Sequence, residues 1–268
     1  MIEFSDSSFD SSQAYTYTLS IRRLSGGFCF AIFNSEKRLL YFLHTEGKPE
    51  SFDFLKQRYA AVYLLDDSAQ YTLVPRPAFR EDLKEMFWNV NFKPVASPDS
   101  LSYDMVRLTD VVNLYAPSVD MKRSVEALFS QSQNIKVVHR QSVQMTVAVM
   151  RNKQANCKQI FIQMMEDSFD LLLMDKGNVI LANTYPCRTD DEMLYYVLNI
   201  FNQMKIDPYS TKVLVGGSSD GHEIGLFSQY LENVSPDAYL QRPLPESFVE
   251  REIPSFAYAL LELPLAVN

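Results

Sequence analysis

The segment KVLVGGSSDG, residues 212–221, is the part of this sequence most similar to a phosphate-binding turn. An apolar run ends in Gly216, Gly217 and Ser218, and a helix is predicted to follow. Backbone N–H groups in such a turn can cradle phosphate. The alternative is tight packing, because a strand-to-helix turn tolerates glycine and a following serine or aspartate would cap the helix. A Gly-Gly pair has low specificity, so the sequence favours packing over ligand binding here.

A second glycine turn lies near the start of the chain. Gly26 and Gly27 follow Ser25 between two predicted strands. The turn is flexible enough to wrap a phosphate, but hairpins also require glycine for its backbone dihedral angles alone. We therefore interpret Gly26 and Gly27 as a structural turn, with phosphate binding as the minor alternative.

The sequence contains few other groups of residues that could form a catalytic site. The three histidines are His44, His139 and His222, and they show neither an HExxH motif nor metal-ligand spacing. Ser219 lies close to a histidine in sequence, but no GxSxG elbow encloses it. Cys187, next to Arg188, could be an activated thiol, although a half-buried structural cysteine is the preferred interpretation. The sequence predicts no catalytic residue.

Composition excludes several classes of protein. The net charge of −8 and the pI of about 5.0 argue against nucleic-acid binding, because phosphate neutralisation needs a basic face. Cys29, Cys157 and Cys187 form no CxxC pair, so they predict no zinc site. No stretch approaches the roughly 20 apolar residues of a membrane span, and the acidic N-terminus does not resemble a signal peptide. We expect a cytoplasmic protein without membrane insertion.

The first part of the chain predicts a three-stranded meander. The predicted strands are residues 15–21, 28–33 and 39–44. A helix at 51–59 and a strand at 61–66 follow, and the apolar run AVYLL in this strand predicts burial on both faces. Residues 1–14 are predicted to form a loose tail.

The same order of elements recurs later. The predicted strands are residues 158–165, 169–174, 179–184 and 211–215. Helix 190–205 precedes the last of these strands, with Thr189 and Glu192 as a capping box at its start. A helix at 223–233 ends the second set.

The two meanders keep the same spacing. Phe28 precedes Phe169 by the same number of residues as Leu39 precedes Ile180. The side chains barely match, so the recurrence is one of pattern and not of sequence. Two meanders of similar hairpin length also arise by chance, but we favour duplication of a domain.

A further unit lies between the two sets. It comprises a strand at 111–116, a helix at 118–130 and a strand at 134–139. Residues 92–104, rich in Ser, Pro and Asp, predict a surface connection. Helix 141–150 leads into the second half. We therefore predict two domains, residues 1–150 with a strand-helix-strand insertion near 109–139, and residues 151–268.

The chain thus contains twice the order of a three-stranded meander, a helix, a strand and a helix. This order resembles the duplicated ribonuclease H-like domains of the actin-like ATPase superfamily. The resemblance implies an α/β fold with mixed five-stranded sheets. The inserted unit is most similar to that of the cytoplasmic pilus-assembly proteins and the cell-division actin homologues. Three phrases carry a further resemblance: YTLVPRPAF at 71–79, VVNLYAPS at 111–118 and TDDEMLYYVLN at 189–199. With them, across nearly its whole length, the chain resembles a family of uncharacterised proteins from Bacteroidetes assigned to this fold. None of the phrases is a catalytic signature, so the resemblance implies a fold and not an activity.

The resemblance also implies where nucleotide chemistry would lie. Active members hold ATP between their two halves, with carboxylates organising Mg²⁺ near the end of the first strand of each repeat and before the linking helix. At these positions this chain has Arg22, Gln163 and His139. The expected carboxylates are thus replaced, and no metal site is predicted.

Two hypotheses follow. In the first, the chain is a non-catalytic actin-like scaffold for binding or assembly, with a protein partner and no cofactor. Its vestigial nucleotide site then consists of Gly26, Gly27, Gly216, Gly217 and Ser218. In the second, it is a divergent ATP-binding protein or ATPase whose Mg²⁺ ligands include Glu166, Asp167 or Asp170. An unrelated hydrolase using Ser219 or Cys187 ranks far behind. We favour the first hypothesis, and the sequence does not predict an oligomeric state.

Overall fold

The computed structural model describes residues 1–47, 52–129, 133–153, 155, 157–165, 167–217, 221–237, 244–245, 248 and 257–267. The chain divides into two compact units. The first comprises Met1–Val143, Arg242–Ile253 and Ala257–Asn268, and the second comprises Gln144–Gln241 and Pro254–Phe256. The boundary at 143/144 differs from the division after residue 150, and the C-terminal segment groups with the first unit.

The first unit is built on a six-stranded mixed sheet. Its strands, in chain order, are β1 (Ile2–Ser5), β2 (Thr18–Leu24), β3 (Gly27–Phe33), β4 (Leu39–Glu46), β5 (Ala61–Asp66) and β9 (Ile135–His139). Their order across the sheet is β1-β4-β3-β2-β5-β9. The first four strands in this order, β1, β4, β3 and β2, pair antiparallel with one another. Strand β5 pairs parallel with β2, and β9 pairs parallel with β5. The predicted meander and fourth strand are confirmed, but residues 2–5 form an edge strand where a loose tail was expected.

The centre of this sheet is buried on both faces. Every residue of β3 is buried, as is Leu64 in β5, which matches the prediction from its apolar run. One face packs on Phe54, in a short 3₁₀ helix, Asp53–Lys56, within the predicted helix 51–59. Helix α6 (Tyr258–Ala266) packs against β2 and β3. It is apolar nearly all round, which explains the burial of Leu261 and its neighbours.

A small sheet is inserted between β5 and β9. Its strands are β6 (Tyr71–Pro75), β7 (Ser102–Met105) and β8 (Val111–Tyr115), in the order β6-β8-β7. Helix α1 (Lys84–Asn89) contacts this sheet and buries Trp88. The predicted insertion near 109–139 is therefore misplaced: β9 pairs with β5 in the main sheet after α2 (Val119–Glu126). The segment 92–104, predicted as a connection, contributes most of β7.

The second unit repeats this topology. Its strands are β10 (Gln159–Met164), β11 (Ser168–Asp175), β12 (Asn178–Pro186), β13 (Lys212–Gly216) and β14 (Asn233–Pro236). Their order is β12-β11-β10-β13-β14, with an antiparallel meander and two parallel strands. Helix α3 (Arg140–Asn152) begins in the first unit and ends in the second, whose other helices are α4 (Asp190–Gln203) and α5 (His222–Phe227). The shared strand order confirms the prediction of two ribonuclease H-like halves.

Strand pairing corrects the proposed equivalence of Leu39 and Ile180. Leu39 lies opposite Phe33, and in the second unit the corresponding Met174 lies opposite Val179. Each unit has a bulge one residue further along, in β4 and in β12. The hairpin of the second unit is one residue shorter, so the spacing shifts by one at this point.

Helix α4 confirms the predicted amphipathic pattern. The Thr189 side chain accepts a hydrogen bond from the Glu192 N–H at 3.2 Å, and Val197 and Phe201 are buried. The Glu192 carboxylate accepts from the N–H of Arg188, one residue before the expected partner. Helix α5 ends at Phe227 and is therefore shorter than predicted, and β14 begins at Asn233, the last residue of the predicted helix. Among the described residues, no helix is long and apolar enough to cross a membrane.

Candidate functional site

The candidate site of the first unit lies at the carboxyl ends of its parallel strands. Arg22 in β2 lies opposite Leu65 in β5, and Asp66, the last residue of β5, lies opposite His139, the last residue of β9. Parallel strands that end together bring these side chains to one edge of the sheet. Arg22 and His139, two of the three residues found where the resemblance led us to expect carboxylates, therefore lie in this region, on either side of β5.

Two arginines share one carboxylate at this edge. Arg22 donates from Nε to Asp67 Oδ2 at 2.7 Å and from Nη2 to Asp67 Oδ1 at 3.0 Å. Arg140 Nε lies 2.9 Å from the same Oδ1. Both arginine side chains are almost fully buried, and burial lowers the pKa of Arg140 from its ordinary value while Asp67 opposes that shift. Arg22, at the position where the resemblance led us to expect a carboxylate, is thus a buried, paired cation.

Asp66 is hydrogen-bonded to two backbone N–H groups and to one side chain. It accepts hydrogen bonds from the hydroxyl of Ser68 and, at 3.2 Å, from the Ser68 N–H. Its other oxygen accepts from the N–H of Ser118 at 3.5 Å, next to the start of α2. Burial raises the pKa of Asp66. This carboxylate joins the end of β5 to the start of α2.

His139 is fully buried and neutral. Its Nε2–H donates to the Ser68 carbonyl at 2.8 Å, whereas Nδ1 accepts from the Asn113 side-chain amide at 3.1 Å and from the Gln141 N–H at 3.2 Å. Burial lowers the pKa of His139 to about 4. Because both ring nitrogens are occupied by hydrogen bonds, neither has a lone pair available to a metal ion.

Asp104, from β7, completes the buried polar cluster. One oxygen accepts from the His139 N–H at 2.8 Å, and the other accepts from the Tyr115 hydroxyl at 3.2 Å. Burial raises the pKa of this carboxyl to about 6. The inserted small sheet therefore supplies polar groups that hold the end of β9.

In the second unit, the glycine turn is explained by its neighbours. Gln163 in β10 lies opposite Gly216, and a Cβ added to Gly216 would lie 2.7 Å from Gln163 Oε1. Gly217 has φ +86°, and a Cβ there would lie 2.5 Å from the Met164 carbonyl. Gly217 is therefore required by its positive φ and by the nearby Met164 backbone, whereas Gly216 faces the end of the flexible Gln163 side chain. Ser218 lies outside the described residues.

The first glycine turn has a different local explanation. A Cβ added to Gly27 would lie 1.9 Å from the Thr45 carbonyl oxygen, whereas one added to Gly26 meets nothing within 4 Å. The Gly26 carbonyl accepts from the Gly47 N–H at 2.7 Å. Neither glycine of the pair has a positive φ. The expectation that backbone angles explain this pair is wrong, because close approach to β4 is what requires Gly27.

The structure describes two of the three carboxylates that were considered as alternative Mg²⁺ ligands in the second unit. Asp170 is buried in β11 and accepts a hydrogen bond from the Thr184 hydroxyl at 2.6 Å. Glu166 lies outside the described residues, whereas the carbonyl of Asp167 accepts from the Cys187 N–H at 3.0 Å. Over the described part of the chain, no three His, Cys, Asp or Glu side chains form a group able to hold a metal ion.

Cys187 does not have the features of an activated thiol. Its Sγ lies 3.3 Å from the Thr189 carbonyl, to which it donates, and burial raises its pKa. A reactive cysteine needs a lowered pKa. The second candidate nucleophile, Ser219, lies outside the described residues.

Sequence reasoning missed most of this cluster. Asp66, Asp67, Asp104, Asn113 and Arg140 received no role, although Asp66-Asp67 directly follows the buried run AVYLL. Carboxylates at the carboxyl end of a buried strand are a signal that could have identified the first two.

Comparisons with known proteins agree with this fold. The profile of the family described as "Protein of unknown function (DUF3822)" matches residues 6–234. A Bacteroides thetaiotaomicron protein with actin-like ATPase fold and unknown function is similar, with 18% identity and a TM-score of 0.73 over 85% of this chain and 93% of that one. The PilM–PilN type IV pilus biogenesis complex contains a chain with 12% identity and a TM-score of 0.62, covering 94% of this chain and 99% of that one. No functionally curated protein matches. These similarities show the actin-like ATPase fold.

Proposed function

This chain belongs to the DUF3822 family, and from that premise we propose that it is a non-catalytic actin-like protein that works as a binding or assembly scaffold. Its nucleotide-site positions serve structural roles, and it works without ATP or Mg²⁺. Its partner is a protein.

The observation that carries the proposal is the Arg22–Asp67–Arg140 cluster. Mg²⁺ bound to nucleotide requires oxygen ligands, usually carboxylates that act directly or through water. Here the first such position holds a guanidinium, and its counter-charge, Asp67, is already shared with a second arginine. A metal ion at this edge would have to compete with two cations for Asp67, and the neighbouring Asp66 already accepts hydrogen bonds from Ser68 and Ser118.

The other replaced positions support the same proposal. His139 is held neutral by burial and hydrogen bonds, and Gln163 packs beside Gly216 and Gly217. Each position has therefore acquired a structural role. A protein partner is supported by the PilM–PilN neighbour, a solved protein–protein complex, and by the net charge of −8, which disfavours nucleic acid.

Calorimetric titration of the full chain with Mg-ATP tests the loss of nucleotide binding. We expect no binding stronger than millimolar, which corresponds to about −4 kcal/mol. Micromolar binding that is lost in Asp167→Asn or Asp170→Asn, but kept in the control Asp175→Asn, would overturn the proposal in favour of a divergent ATP site.

A second measurement tests the scaffold role. Partners captured by the tagged full chain should remain bound equally with Mg-ATP, with the non-hydrolysable analogue AMPPNP or with EDTA. Release or capture that depends on nucleotide would contradict the proposal even if the calorimetric signal were weak.

A further inference from the structure

The exposed edge of the second sheet is the feature that the proposed function leaves unexplained. Strand β12 (Asn178–Pro186) is the last strand on its side, pairs with β11 only, and is nine residues long. No described residue pairs with its outer side. An edge strand presents a row of backbone N–H and C=O groups that can pair with another strand.

The first unit shows what covers the equivalent edge. There, β1 pairs antiparallel with β4 through Tyr41–His44. Tyr41 lies opposite Ile32, and the corresponding Leu173 in β11 lies opposite Leu181. The residues of β12 that correspond to the covered ones are therefore 181–184. In the first unit the equivalent edge thus accepts an antiparallel strand, whereas β12 has no such strand among the described residues.

Strand β12 also lacks most of the usual protection against pairing. Its sequence, NVILANTYP, contains no charged residue, and proline occurs only at its end. The bulge places Ile180 as the unpaired extra residue, and after it residues 181–185 pair regularly with β11. The regular part of the strand is thus uncharged and open on one side.

An aromatic ladder joins this edge to the surface. Tyr185 stacks on buried Phe169 with ring centroids 5.4 Å apart and contacts Tyr196 at 4.9 Å. Tyr196 in turn contacts Tyr195, whose exposed fraction is 65%. Tyrosine is enriched at protein interfaces, so the edge and the ladder together resemble an interaction surface.

From these observations we propose that β12 pairs antiparallel with β12 of a second copy of this chain. The pairing is centred on Asn183, so that Leu181 of each copy lies opposite Tyr185 of the other. An uncharged strand can pair with itself because no like charges face each other, and an aliphatic–aromatic pair stabilises such a ladder. The proposal does not depend on whether the chain binds nucleotide.

The charge of the chain predicts how this dimer responds to salt. Each copy carries a net charge of −8, so two copies repel each other. Salt screens this repulsion over a Debye length of about 8 Å at physiological ionic strength, while backbone pairing is affected little. The area that two strand edges bury is small, so the dimer is weak. Association should therefore increase with protein concentration and with salt.

Sedimentation equilibrium of the full chain, from micromolar to near-millimolar concentration, is the direct test. The wild type should form a dimer, and Asn183→Lys, which places two lysines together at the centre, should weaken it at least about tenfold. Asn183→Thr should keep the dimer, as should Tyr209→Lys, a change at an exposed residue of the same unit outside β12.

Hydrogen exchange gives a second readout that needs no variant. Amides of β12 should become more protected as the wild-type concentration rises, whereas those of the opposite edge strand β14 should not. A wild type that stays monomeric at all concentrations and salt levels would overturn the proposal. So would a dimer that Asn183→Lys leaves unchanged, or concentration-dependent protection outside β12.

Discussion

At the residue scale, Asp67 is the side chain on which the polar edge of the first sheet depends. It is the shared anion of two buried arginines, and its own side chain is only 27% exposed. Removing one partner of a buried ion pair is costly because it leaves an uncompensated charge, here on two guanidinium groups.

We predict that Asp67→Asn lowers the free energy of unfolding by about 3 kcal/mol, the lower end of the range for a broken buried pair, since Asp67 keeps some exposure. Urea denaturation measures the change. Asp53→Asn, which removes an exposed carboxylate paired with Lys56, is the matched control and should have little effect. Equal effects of the two substitutions would show that the cluster contributes nothing specific.

His139 predicts a distinct titration at the same scale. Its pKa in the folded chain is about 4, below the ordinary value of 6.5, so between these pH values the unfolded chain binds the extra proton and folding is weakened as pH falls. Asp104 acts in the opposite direction, because its pKa of about 6 lies above the ordinary 3.8 and the folded chain binds that proton first. The two effects offset each other in total stability.

The ring itself must therefore be observed. Nitrogen-15 NMR at pH 5 should show His139 neutral, with the proton on Nε2, while the same ring in urea-unfolded chain titrates near its ordinary pKa of about 6.5. A protonated His139 at pH 5 in the folded protein would contradict the burial and hydrogen bonding described for it.

At the element scale, the β2–β3 hairpin provides a paired test of two adjacent glycines. Gly27→Ala forces a Cβ into the Thr45 carbonyl and should destabilise the fold by about 1–3 kcal/mol or more. Gly26→Ala meets open space without a positive φ and should be nearly neutral or slightly stabilising. Thermal and urea unfolding of the two variants measure the difference. If Gly27→Ala were as stable as Gly26→Ala, the close approach of β4 would be refuted.

At the scale of the whole molecule, the C-terminal helix belongs to the unit formed by the N-terminal part of the chain. Lys37 donates to the Pro264 carbonyl at 2.7 Å and Arg107 donates to the Leu265 carbonyl at 2.6 Å, so two cations satisfy the end of α6. The buried leucines of this helix lie far in sequence from β2 and β3, against which the helix packs.

We predict that removing residues 257–268 exposes apolar surface of β2 and β3 and lowers the hydrogen-exchange protection of both strands, because their packing helix is lost. Strands β10 and β11 of the second unit should keep their protection. The full chain with Tyr15→Ala, a change at an exposed residue of the first unit, serves as the control. Loss of protection confined to the second unit would show that α6 is assigned to the wrong unit.

Although it did not predict β1, β6, β7 or β14, sequence alone determined the two meanders with the parallel strand that follows each, their duplication and the core face of α4. These depend on alternation and periodicity within short windows, which are local properties of the chain. Position 22 and position 163 were also recognised as lacking carboxylates, because the identity of a residue at the end of a predicted strand is visible without coordinates.

Tertiary structure alone decided what those positions contact. Arg22 contacts Asp67 because β2 and β5 pair in a parallel register. The sequence of neither strand by itself predicts that the two are neighbours in the sheet. The pairing of β1 with β4 and the placement of α6 depend on contacts between segments distant along the chain. The local sequence predicts which segments form helices and strands. Packing between distant segments and the burial of charged groups determine which of these helices and strands contact one another.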